Sequence, residues 1–140
     1  MVALPPNIIA QGRSLMGTVQ YRFQTEESNP PLVMNCHTFV RWLLLQQGVN
    51  MPVGLATLLY YGTPVEFQER APGDIIFTNG HWGNYSDAER AREGVGHVGI
   101  LATEDSVLHA CFKVGTVTED PLQEFLAFRK LRGIYRIPST

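Results

Sequence analysis

Two hydrophobic rhythms divide the chain. Up to about residue 60 apolar positions recur every three to four residues, and beyond Pro72-Gly73 they gather into short runs separated by glycine and polar pairs. Cys36, Phe39, Val40, Leu43, Leu44 and Gln47 fall at i, i+3, i+4, i+7, i+8 and i+11, which is one face of an α-helix. Asn35, just before this run, has a side chain suited to capping a helix start, and Gly48, just after it, suits the turn that ends one. Ile8, Ile9, Leu15 and Met16 predict an earlier helix over residues 7–16, with Asn7 as cap and Gly17 as stop. Residues 24–31 are polar and rich in turn formers, and a third short helix is predicted over residues 53–60, after Pro52.

The second rhythm predicts strands at residues 74–77, 97–101, 106–110, 115–117 and 133–137. Residues 78–96 form a polar insertion. Residues 120–130 read as a helix, with Asp120 as cap, Pro121 at the first helical position and Glu124 in the first turn. Helices followed by antiparallel strands predict an α+β fold, with N-terminal helices packed on an antiparallel sheet. No internal repeat or low-complexity stretch appears. A chain of 140 residues is expected to form one domain spanning residues 1–140, large enough to bury a core without crosslinks.

Composition narrows the function classes. A net charge of −2 offers no basic surface for nucleic acid, and the cluster Arg129-Lys130-Leu131-Arg132 reads as a solvated helix face. No run approaches 18 apolar residues, so no membrane span is expected. Met1 to Ala10 has no basic start and is interrupted by Pro5-Pro6, so it does not read as a signal peptide. The expected compartment therefore stays open between the cytoplasm and a cell envelope reached by another route. Oligomeric state is equally open. Cys36 and Cys111 form no Cys-x-x-Cys pair, which argues against a zinc ribbon or redox motif. His81, His97 and His109 with a cysteine fit no common zinc spacing; no metal and no cofactor are expected.

Three segments carry chemistry: Asn35-Cys36-His37-Thr38-Phe39-Val40, Gly96-His97-Val98-Gly99-Ile100 and Val107-Leu108-His109-Ala110. A free thiol has a pKa near 8.5. A helix N-terminus carries about half a positive charge, and Cys36 sits one residue past the cap, where that field favours the thiolate. His97 and His109 have residue 103 as midpoint, so a connection of Ala102-Thr103-Glu104 would set them directly opposite, with Cβ atoms about 4.5–5.5 Å apart. One imidazole can then hold the tautomer of the other, as the base of a thiol nucleophile requires. Taken singly, Cys36 also fits the first core residue of its helix, and the histidines fit a stacked hairpin pair.

Together these residues resemble the NlpC/P60 cysteine peptidases, papain-like in fold, over about residues 8–137. Met16-Gly17-Thr18-Val19-Gln20-Tyr21 resembles the family's Leu-Gly-Thr-Pro-Tyr turn. Asn35 to Val40 stands in the place of its Asp-Cys-Ser-Gly-φ-Val, and Pro72-Gly73-Asp74-Ile75-Ile76-Phe77 resembles its Pro-Gly-Asp-Leu-Val-Phe strand. The two histidine segments match its His-Val-Gly-Ile and φ-φ-His-Ala strands. Each motif is weak by itself; five in order are specific.

The resemblance implies Cys36 as nucleophile, His97 as general base and His109 as the residue orienting it. It implies that Tyr21 lines the site beside the nucleophile and that Asn35 and His37 occupy substrate-binding positions; Asp74, in a turn before a strand where it can bond backbone amides, reads as structural. The implied reaction is amide hydrolysis in peptidoglycan stem peptides, at a γ-D-glutamyl link to a diamino acid, or in a related cell-wall peptide. Three departures stand out: Asn35 replaces the family's Asp, His37-Thr38 its Ser-Gly, and Arg22-Phe23-Gln24 its Trp-Gly-Gly. In members that process cell-wall peptides, that Asp and Ser help hold a free N-terminal amine, and Asn35 brings no charge for an ammonium. The motif Asn-Cys-x-x-Phe-Val also resembles lecithin:retinol acyltransferase-like enzymes, in which the histidine precedes the cysteine. An acyltransferase or thioesterase, and a non-catalytic binding module, are the alternatives.

Overall fold

The computed structural model describes residues 7–50, 62–79, 95–127 and 129–137. The helix expected over 53–60, most of the polar insertion and His81 lie outside the described residues. α1 spans Asn7–Ser14 and α2 spans Cys36–Gln46. Asn35 caps α2 reciprocally with Thr38: its side-chain oxygen accepts from the Thr38 amide at 3.0 Å, and the Thr38 hydroxyl accepts from the Asn35 amide at 2.8 Å. Gly48 takes the positive φ of 82° anticipated for the residue that ends the helix. Phe39, Val40, Leu43 and Leu44 are fully buried along the apolar stripe.

α1 is shorter than its periodicity suggested. Asn7 is its first helical residue rather than its cap. After Ser14 the chain tightens, with the Leu15 and Met16 amides bonding to carbonyls three residues back. Met16 then leaves the helix face, bridges Val117 and is exposed. Gly12 lies against Leu108 and Leu43, where a Cβ would come within 3.0 Å of the Leu108 side chain. That close approach seats α1 on α2 and the sheet.

The strands are β1 (Gln20–Tyr21), β2 (Val33–Met34), β3 (Thr63–Pro64), β4 (Ile75–Thr78), β5 (His97–Thr103), β6 (Ser106–Cys111), β7 (Thr116–Pro121) and β8 (Leu131–Arg136). β1 and β2 form a small parallel pair, while the other six make an antiparallel sheet in the order β3-β8-β4-β5-β6-β7. The alternation of strand side chains splits the core. Ile75, Phe77, Val98, Ile100, Ala102, Leu108 and Ala110 pack beneath α1 and α2. Ile76, Leu101, Val107 and Ile134 point the other way, onto Leu122 and Phe125 of α3 (Leu122–Ala127). The fold is α+β as expected, with this short helix added on the second face.

Two boundaries differ from the sequence reading, which gave Asp120 and Pro121 to the start of a helix. Both belong to β7, opposite Val107 and Ser106. β7 is an edge strand, where proline's missing N–H leaves no ladder bond unmade. Asp74 has the structural place expected of it. Wholly buried, it accepts from Arg136 Nε at 2.8 Å and Nη2 at 2.9 Å and from the Ala71 amide at 2.9 Å, tying the start of β4 to β8.

Candidate active site

His97 opens β5 and His109 lies in β6. The β5–β6 ladder pairs Ile100 with Leu108 and Leu101 with Val107, then slips so that Thr103 meets Ser106. The direct opposition of His97 and His109 is therefore corrected. The turn is the two residues Glu104 and Asp105, and the count along the ladder sets Gly99, not His97, opposite His109. Insertion of an extra residue near Ala102 moves the register by one. The two histidines are diagonal neighbours on one face, a separation that long side chains still span. Gly99 makes the diagonal passable: a Cβ there would lie 2.7 Å from Val107 Cγ1, 2.9 Å from the Leu108 carbonyl oxygen and 3.2 Å from His109 Cβ.

The rings meet despite the shifted register. His97 Nε2 and His109 Nδ1 are 2.9 Å apart, and the ring planes are nearly perpendicular. Phe125 of α3 covers both, with centroid separations of 5.9 Å and 4.8 Å. On the far side, His109 Nε2 stands 2.7 Å from Asp120 Oδ2. Sequence reasoning missed Asp120 by assigning it to a helix cap. The available signal was periodicity: Thr118 pairs with His109, so Asp120, two residues on, shares its face.

Burial sets the charge states. His97, enclosed and beside a second imidazole, is held well below the usual histidine range, with the Arg129 guanidinium adding to the effect. His109 is lowered chiefly by burial, and the Asp120 carboxylate opposes that only in part. Asp120 is lowered because it accepts the His109 hydrogen bond. At neutral pH the trio is thus two neutral imidazoles and one carboxylate.

Cys36 lies at the first position of α2, 4% exposed, and α2 packs across β5 and β6. Tyr21 is paired with Met34 on β1–β2, just ahead of the Asn35-Cys36 corner. Burial first, then the fields of Cys36 and Cys111, push its phenol far above the ordinary tyrosine range. Its ring meets Phe112 edge-on at 6.0 Å. His97 is bonded to His109, and Tyr21 lies across from the strand that leads into Asn35 and Cys36. The ring of His97 meets those of His109 and Phe125. Asn35 and His37 are both at most 3% exposed. The Asn35 amide is used by the fold itself, its oxygen by Thr38 and its nitrogen by the Phe23 carbonyl at 3.2 Å. Among the described residues, no three His, Cys, Asp or Glu side chains converge as metal ligands, and no helix is long and apolar enough to cross a membrane.

The model of the NlpC/P60 family matches residues 17–136. The peptidoglycan DL-endopeptidase CwlO of Bacillus licheniformis is 32% identical over 87 residues, covering 55% of this chain and 19% of that protein, so the chain spans about a fifth of that relative's length. NlpC2 from Trichomonas vaginalis superposes with a TM-score of 0.75 at 17% identity, over 97% of this chain and 48% of that one. The NlpC/p60 domain of the peptidoglycan hydrolase SagA gives 0.69 at 19%, over 93% and 96% of the two chains. The peptidoglycan hydrolase RipB from Mycobacterium tuberculosis gives 0.68 at 21%, over 95% and 64%. At these identities the structural likenesses carry the fold.

Proposed function

The chain belongs to the NlpC/P60 family, and from that premise we propose that it is a thiol hydrolase cleaving an amide bond in a peptidoglycan stem peptide or a related cell-wall peptide. In this reading residues 1–140 work as one catalytic domain, Cys36 is the nucleophile, His97 the base and His109 its positioning partner. The observation that carries it is the buried 2.9 Å contact from His97 Nε2 to His109 Nδ1. With Nε2 so engaged, Nδ1 is the nitrogen of His97 left to take a proton from a thiol, and a base held from its far side is what nucleophilic catalysis requires.

The reaction then follows from the groups. The Sγ–H proton of Cys36 passes to His97 Nδ1, and the sulfur bonds to the substrate carbonyl carbon. The oxyanion meets amides at the start of α2, where the helix field favours negative charge. His97 returns the proton to the leaving nitrogen as the C–N bond breaks. Water gives a proton to the same histidine and bonds to the thioester carbon; the C–S bond breaks, the acid leaves and His97 returns that proton to the Cys36 sulfur. Catalytic contacts such as that between thiol and imidazole tighten when substrate binds. Asn35, spent on the cap and uncharged, supports a substrate site that does not depend on a carboxylate–ammonium pair at this position.

The test is digestion of purified stem peptides followed by mass spectrometry. The protein is expected to yield new fragments, and Cys36→Ala none while melting as a folded domain. Peptides left whole by the folded wild type, or cut equally by Cys36→Ala, would overturn the proposal.

A further inference from the structure

We propose that Asp120 is a positioning residue for this site: through its contact with His109 it sets the proton arrangement of both histidines and points a lone pair of His97 Nδ1 outward as a base. The inference rests on the hydrolase reading for its catalytic consequence, though not for the proton arrangement itself. A carboxylate only accepts hydrogen bonds, so the hydrogen in the 2.7 Å contact belongs to His109 Nε2. A neutral imidazole has one N–H, which leaves His109 Nδ1 as an acceptor. That atom is 2.9 Å from His97 Nε2, so His97 must donate from Nε2 and carry its lone pair on Nδ1. Each assignment forces the next. With the direction reversed, His97 would hold a hydrogen on Nδ1 and be unable to take the thiol proton.

The surroundings make Asp120 the group that decides. The His109 side chain is fully buried and Phe125 closes one side of the pair. Among the described residues, Arg129, stacked over Phe125 at 4.8 Å, disfavours a positive charge on either ring. Glu119, next along β7, is turned away to Arg13 and Ser106. When His97 accepts the thiol proton, an S–H bond is exchanged for an N–H bond at Nδ1 and the ring becomes a cation. The proton stays on His97, the Nε2–H still points at His109, and the Asp120 charge faces that cation through the intervening ring.

The experiment is NMR of the full chain with 15N-labelled histidine, beside stem-peptide turnover. In the resting protein, His97 and His109 are each expected to be protonated at Nε2 and bare at Nδ1. Asp120→Asn, whose amide can donate to His109, is expected to move hydrogen onto His109 Nδ1 and to lower kcat about 10- to 100-fold with little change in KM. Asp120→Glu is expected to restore the wild-type tautomers and part of kcat. Wild-type spectra with hydrogen on Nδ1 of either ring overturn the proposal, as do unchanged tautomers in Asp120→Asn. Changed tautomers with unchanged kcat overturn its catalytic part. If Cys36→Ala cuts as well as wild type, the hydrolase reading fails, while the spectra still decide the proton arrangement.

Discussion

Replacing Gly99 by alanine tests the geometry at its tightest point. The new methyl carbon would sit 2.7 Å from Val107 Cγ1, 2.9 Å from the Leu108 carbonyl oxygen and 3.2 Å from His109 Cβ. Ordinary carbon contacts lie at about 3.5–4.0 Å. Val107 can turn its side chain, but the Leu108 oxygen is backbone in the sheet and cannot turn away. Relief therefore requires β5 and β6 to part by some tenths of an ångström, at the step where His97 reaches across to His109. Overpacking of this kind costs about 1–3 kcal/mol. For a chain of this size that is a fall in Tm of roughly 3–10 °C. Turnover should fall further than stability accounts for, because a misplacement of about 1 Å in a reacting group costs about a hundredfold and a shift of some tenths of an ångström a smaller share of that. Calorimetry and stem-peptide digestion at 25 °C, where both proteins are folded, separate the two effects. Gly17→Asn is the control, since a Cβ at Gly17 meets nothing within 4 Å and asparagine tolerates its positive φ. Gly99→Ala melting and cutting like wild type would refute the account of the diagonal histidine pair.

Two further outcomes are expected. Asp74→Ala removes three hydrogen bonds at a fully buried carboxylate and leaves Arg136, only partly exposed, without its counterion; the loss should be about 3 kcal/mol, read as a lower urea midpoint, and a shift below about 0.5 kcal/mol would contradict the structural role. The pH dependence of stability follows from the lowered histidines: below 6.5 the unfolded chain binds protons that folded His97 and His109 refuse, so stability is whole above about pH 7 and falls as pH drops through 6.5 toward their folded values. Asp120, lowered from 3.8, adds its own loss only below that range. Urea midpoints at pH 7.5 and 5.5 check the sign, and a midpoint that rises on acidification would refute it.

Much of the site was legible because its signals are local. A helix start depends on a cap and a few following amides, so Asn35, the Cys36 position and Gly48 could be read from spacing. Strand runs and the twelve-residue separation of His97 and His109 are likewise local, and they were enough to bring the rings into one hairpin. Family motifs reinforced these positions without altering their physics. What escaped were quantities set by distant neighbours. The slip near Ala102 changed the partner of His109 to Gly99, because a ladder register is a compromise among turn, twist and packing on both faces. Asp120 and Pro121 carry a strong helix-start signature, yet the open edge beside β6 and the His109 ring drew them into a strand.

By itself, then, the sequence determined the order of elements, the capped helix beneath the thiol and the pairing of two imidazoles, since each rests on residues within a turn or a hairpin of one another. The tertiary structure decided which atoms meet: His97 diagonally against His109, Phe125 over the histidines and Asp120 behind them. Burial made the difference, for it is the exclusion of water by elements far apart in the chain that keeps both imidazoles neutral and gives a single carboxylate control of their protons.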